Sequence, residues 1–248
     1  MAAVLRRTAA LLALLALVAP TVARAADDDA AIAKTLADML RAGRSVISSN
    51  QAKINDPKLG DKGLTGEVVL AEAAKNFKAS TGTDPAAIDP ASRQGRLLKA
   101  EMDAIVAVMD ANQGTINAPG VGFKAFIPAV FGRLVSEEFA KRAQGEAEMK
   151  VTAPRELVRN RKALPDKWEE EIIVQKLAAK DWPKGQPFST VAELKGRPAF
   201  RVMAPEYYAA SCLSCHGTPK GATDITGYPK EGAAENDLGG VISIALYR

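Results

Sequence analysis

Residues 146–153 read EAEMKVTA, and in this stretch the period of the chain changes. Glu146, Glu148 and Lys150 alternate with Ala147, Met149 and Val151, the two-residue repeat of a strand with one face buried. Everything before Gly145 has a different rhythm. Ile32, Leu36, Met39, Leu40, Val46 and Ile47 recur at helical spacing, with Lys34, Asp38, Arg41 and Arg44 between them. Val69, Ala73 and Phe77 continue that pattern, as do Leu98, Met102, Ile105 and Met109. Asp89-Pro90 reads as a helix start, with a capping carboxylate followed by proline in the first turn. Pro128 opens a further helix carrying Phe131, Leu134, Val135 and Phe139 on one side.

After residue 153 a short helix is expected from Asp166 to about Ala179, with Trp168, Ile172 and Leu177 on its apolar side. RPAFRVMAPEYY (197–208) and GGVISIALY (239–247) then read as two more strands, rich in β-branched and aromatic residues. Helices first and strands later predict an α+β fold with an antiparallel sheet. One domain is expected over 26–248, with 26–112 mainly helical and 113–248 combining helix and sheet.

The first 25 residues read as a signal peptide. Arg6 and Arg7 precede an apolar run of about a dozen residues, and Ala23-Arg24-Ala25 offers the small residues of a cleavage site. The run is short of the roughly 20 residues that span a bilayer, so cleavage and a periplasmic location are expected. Removing residues 1–25 takes Arg6, Arg7 and Arg24 from the 33 basic residues and leaves 30 against 29 acidic ones. The formal charge of +4 therefore belongs largely to the leader, and it gives no argument for nucleic acid or anionic membrane as a partner. No apolar run after Ala26 is long enough for a membrane span.

Both cysteines and the only histidine of the chain lie within five positions, in Cys212-Leu213-Ser214-Cys215-His216. This is the C-x-x-C-H attachment signature of haem c. Two thiols three residues apart can form thioethers with the two vinyl groups of one porphyrin, and the next residue then lies where its imidazole can bind the iron. A Cys212–Cys215 disulfide, a thioredoxin-like thiol pair and a zinc site are the alternatives. The thioredoxin reading wants a long helix after the motif, whereas Gly217, Pro219 and Gly221 stop it at once. Zinc wants about four ligands, and the segment offers three. The long loop from Gly217 to Gly239 reads as a cover over one haem edge.

Five stretches resemble a family of periplasmic single-haem proteins with a PAS-like c-type haem domain, found in cyanobacteria and proteobacteria and long catalogued as a domain of unknown function. They are AGRSVISSNQAKIND (42–56), GFKAFIPAVFGRL (122–134), VRNRKALPDKWE (158–169), YYAASCLSCHG (207–217) and DLGGVISIAL (237–246). The resemblance implies a central antiparallel sheet flanked by helices, one covalent haem per chain, and a role in redox or small-ligand sensing or in one-electron transfer. Some relatives draw a distal iron ligand from a cysteine of the first helix, and this chain has no third cysteine.

Met203 remains a candidate distal ligand, with Met149 behind it, although methionine is commonly a core filler. Arg159, Arg161 and Arg201 are candidate partners for haem propionates, and Lys162 lies beside the first two. A haem enzyme acting on peroxide or nitrogen oxides lacks a distal histidine to serve as acid or base. A redox partner protein or a separate signalling partner is expected, because the chain ends two residues after Leu246.

Overall fold

The computed structural model describes residues 28–248. The signal peptide expected over 1–25 lies outside the described residues. Eight α-helices appear among them: α1 (28–49), α2 (Gln51–Ile54), α3 (Gly66–Thr81), α4 (Arg93–Ala111), α5 (Gln113–Ile116), α6 (Pro128–Arg142), α7 (Lys167–Ile172) and α8 (Leu213–His216). The four strands are β1 (Ala147–Thr152), β2 (Phe188–Leu194), β3 (Arg197–Tyr207) and β4 (Leu238–Tyr247). The expected α+β architecture is what forms, with the N-terminal helices packed on one antiparallel sheet of strand order β1-β4-β3-β2.

Local chemistry sets the helix ends. Thr65 caps α3 by accepting a hydrogen bond from the Val68 N–H, and Gly82 closes the helix in the left-handed region at φ 73°. Helix α4 starts later than Asp89-Pro90 suggests: Ser92 is its cap and accepts from Gly95 N, while Asp89 holds the preceding turn through Ala91 N. Both residues are competent acceptors, and the one whose neighbours already have helical dihedrals becomes the cap.

Strand β2 is absent from the sequence expectation. It is an edge strand with alternate residues exposed, and its apolar content is modest. The signal that reveals it is the two-residue turn Lys195-Gly196, both at positive φ (53° and 75°), the geometry of a tight hairpin. The turn pairs Leu194 with Arg197 and fixes the register up to Phe188 with Met203.

The alternation in β1, β3 and β4 divides the sheet into two unlike faces. Ala147 and Met149 of β1, Phe200, Val202 and Ala204 of β3 and Ile242, Ile244 and Leu246 of β4 join a large core with Leu36, Leu40, Ile105, Phe131 and Phe139 from the helices. Each buried side chain of this size contributes about 1.5–3 kcal/mol by leaving water. The opposite face is covered by α7 and the π-helical turn Ile173–Leu177 that continues it. There Met203 and Val241 pack with Ile172, Ile173 and Leu177, and Trp168 and Phe188 rest against them.

Two ion pairs lock α1 to the end of β3. Arg41 reaches Glu206 at 2.6 Å and Arg44 reaches its other oxygen at 2.7 Å. This fixes the last turn of α1 beside the segment that follows β3, where Ser48 Oγ lies 3.5 Å from Ser211 Oγ.

Candidate functional site

Strand β3 delivers the C-x-x-C-H motif. A register shift between Glu206 and Tyr207 precedes the last pair, Tyr207 with Leu238; a 3-10 turn at Ala210–Cys212 follows, and α8 carries Leu213–His216. The 3-10 turn and α8 together carry Cys212, Cys215 and His216 on two consecutive short helical segments. The helix ends at Gly217, where a Cβ would sit 2.6 Å from the Leu213 carbonyl oxygen, so only glycine lets the chain leave directly after the histidine. Both thiols are free and half-buried, and neither belongs to an apolar core.

His216 is held on one side only. Its Nδ1 lies 2.8 Å from Oε2 of Glu231. The Tyr208 ring stacks on the imidazole at 4.8 Å between centroids and 27° between planes, and its hydroxyl is 3.4 Å from the same Nδ1. The carboxylate contact is the shorter and the charged one, so it places the proton on Nδ1. In the neutral ring Nε2 is then the lone-pair nitrogen, and among the described residues no protein group hydrogen-bonds to it. Burial, with the Glu231 charge adding to it, pushes the Tyr208 phenol up to about 12, so this hydroxyl stays protonated.

The loop after Gly217 is more ordered than a cover. It folds back through a bridge between Thr223 and Pro229, and it is pinned to the motif by Ala233 N to His216 O at 2.9 Å and Asn236 N to Tyr208 O at 2.8 Å. Asp224, with a fully buried side chain, organises the tip by accepting from Thr226 N (2.7 Å), Thr226 Oγ1 (2.7 Å) and Tyr228 N (3.2 Å). Burial alone would raise its pKa. The hydrogen bonds from Thr226, Arg159 and the backbone outweigh that and hold the carboxyl well below the usual carboxylate range.

Arg159 is brought to the motif, and its donors are already engaged there. Nε and Nη2 grip the two oxygens of Glu231 at 3.0 and 3.1 Å, Nη1 meets Asp224 at 2.5 Å, and Nη2 also donates to the Cys215 carbonyl at 2.9 Å. Arg161 stands exposed at the start of a 3-10 turn two residues on. Arg201 goes elsewhere. It is buried beneath α7, 2.6 Å from Asp166 and 3.6 Å from Glu169, with its guanidinium 4.0 Å above the Trp168 ring. Met203 is fully buried in the smaller core and Met149 in the larger one. Sequence reasoning passed over Glu231, Asp224 and Tyr208. A faint signal existed, since Asp224 and Glu231 are the only carboxylates between Gly217 and Ala233.

The donor set of two free thiols and one imidazole with a free Nε2 is compatible with a covalent haem c. Among the described residues, no group of three or more His, Cys, Asp and Glu side chains is gathered to hold a metal ion, which is what a zinc cage requires. No described helix is long and apolar enough to cross a membrane.

No curated protein and no solved structure matches the chain. A family model described as Tll0287-like matches residues 23–246 and so takes in the helices, the sheet and the whole C-x-x-C-H segment. The chain belongs to the Tll0287-like family.

Proposed function

We propose that this is a periplasmic haem c protein that senses redox state or a small ligand, with Cys212 and Cys215 forming the two thioethers and His216 binding the iron. The observation that carries the reading is the state of His216. Glu231 accepts a hydrogen bond from Nδ1–H, so that in the neutral ring the lone pair is on Nε2, in the same motif as two free thiols. When bound, the haem supplies a one-electron couple and an iron site for small ligands.

The chain's own residues do the rest. Tyr208 holds the imidazole plane by stacking, Ala233 ties the His216 carbonyl to the returning loop, and Arg159 anchors the Cys215 carbonyl. Met39, Met109, Met149 and Met203 fill cores and Met102 packs against one, so with both thiols taken up as thioethers His216 is the strong iron donor left in the motif. Sensing is favoured over electron transfer on that ground, since a closed histidine–methionine iron is the usual carrier arrangement. Arg161, exposed two residues after Arg159, remains the candidate for a propionate, whereas Arg159 and Arg201 are committed to carboxylates. The output of a sensor of this kind passes to a separate signalling or redox partner.

Optical spectra of the haem-loaded protein, oxidised, reduced and under carbon monoxide, test this reading. A reduced spectrum that shifts on adding carbon monoxide is expected. No shift, together with a near-infrared sulfur-to-iron band in the ferric protein, points to a methionine-closed electron carrier.

A further inference from the structure

Three charged side chains from two distant segments converge behind His216, and attachment of a haem by itself does not require them. Arg159 bridges Asp224 and Glu231, and only Glu231 touches the imidazole, at 2.8 Å. The group holds two carboxylates against one guanidinium, so it retains one net negative charge next to the ring. It is also rigid. Glu231 is gripped through both oxygens, and Asp224 is bound by three donors of its own turn as well as by Arg159.

We infer that Glu231 is a positioning residue for His216, fixing the Nδ1–H tautomer and lowering the haem midpoint potential, with Arg159 and Asp224 holding it in place. This rests on the haem reading above. The physical reason is electrostatic. A carboxylate accepting a hydrogen bond from Nδ1–H makes Nε2 a stronger donor, and the residual negative charge favours the more positive, ferric iron. Asp224 acts at one remove: by engaging Arg159 it keeps the guanidinium from fully cancelling the Glu231 charge. The loop from Gly217 to Gly239 is thereby a clamp on the histidine side of the site, and Asp224 and Glu231 give it a role in setting the potential.

The test is spectroelectrochemical titration of wild type, Glu231→Gln, Glu231→Asp and Asp224→Asn, each purified with covalent haem verified by intact mass. Glu231→Gln is expected to keep its haem and shift the midpoint upward. Glu231→Asp should return it towards wild type. Asp224→Asn, which does not touch His216, should shift it upward by less, and this variant serves if Glu231→Gln fails to fold. A haem-bearing Glu231→Gln with the wild-type midpoint overturns this inference alone. A wild-type protein matured without covalent haem overturns the haem reading and this inference with it.

Discussion

The helix-covered face of the sheet and the loop behind His216 are built from opposite materials. The first is an apolar layer in which Leu36, Leu40, Ile105, Phe131 and Phe139 meet the alternate residues of β1, β3 and β4. In the second, Ile225 and Tyr228 lie exposed, and the hold comes from Arg159, Asp224, Glu231 and a set of backbone hydrogen bonds. The apolar layer gains its stability from surface removed from water and depends on shape. The loop depends on the placement of a few charges. Stability and site chemistry are therefore separable in this molecule, and substitutions in one region should leave the other largely intact.

The sharpest break of that comparison comes from the thiols. The double variant Cys212→Ala, Cys215→Ala should lose covalent haem completely, while its far-ultraviolet circular dichroism stays that of the parent apoprotein, because neither side chain belongs to a core. Loss of the folded spectrum would show that motif and scaffold are one unit.

The converse case is Phe131→Ala. Phe131 is fully buried and meets Phe126 edge-on at 6.3 Å, so its truncation should cost about 3–5 kcal/mol in denaturant unfolding. The haem spectrum of the folded fraction should not change. A cost under about 1 kcal/mol would mean that the helical layer is loosely packed.

Glu101 sharpens the contrast from within the apolar layer. It is fully buried on α4, and neither carboxylate oxygen has a hydrogen-bond partner among the described residues. Burial, with the Asp38 charge adding to it, holds its pKa well above the usual carboxylate range. The sign follows from linkage. The unfolded chain releases the proton near pH 4.3 or so and the folded chain keeps it, so this group costs stability increasingly as pH rises above that value. Glu101→Leu should raise stability by about 1–3 kcal/mol at neutral pH and by less near pH 4. Thermal melts across pH check it, and a gain that does not grow with pH would contradict it.

Legibility in the sequence followed the range of each interaction. The helical stripes, β1, β3, β4 and the opposite orientation of Met203 from Phe200 and Val202 are local periodicities, and the structure has each of them. Strand β2 was hidden because an edge strand needs only half an apolar pattern. Ser92 displaced Asp89 as a cap because both chemistries are adequate and only the backbone path chooses.

The charged residues were the least readable. Arg159 and Arg201 look alike in sequence, yet one finds Glu231, 72 residues on, and the other finds Asp166, 35 residues before it. No spacing rule reports such pairings. Glu101 was nearer to view, since it falls on the stripe of Leu98 and Ile105 and so at a core position. The cysteines and histidine were plain because their chemistry is local, whereas the partner of His216 arrives from a loop whose return path the sequence does not record.

The central claim is that the two sulfurs of the C-x-x-C-H motif carry a haem whose iron sits on His216. Intact mass of protein produced alongside haem-attachment machinery tests it most directly, read together with extraction by acidified acetone. The account predicts the mass of the processed chain plus one haem, with colour that stays on the protein. The mass of a bare chain with a Cys212–Cys215 cystine, or colour that passes wholly into the solvent, would contradict it.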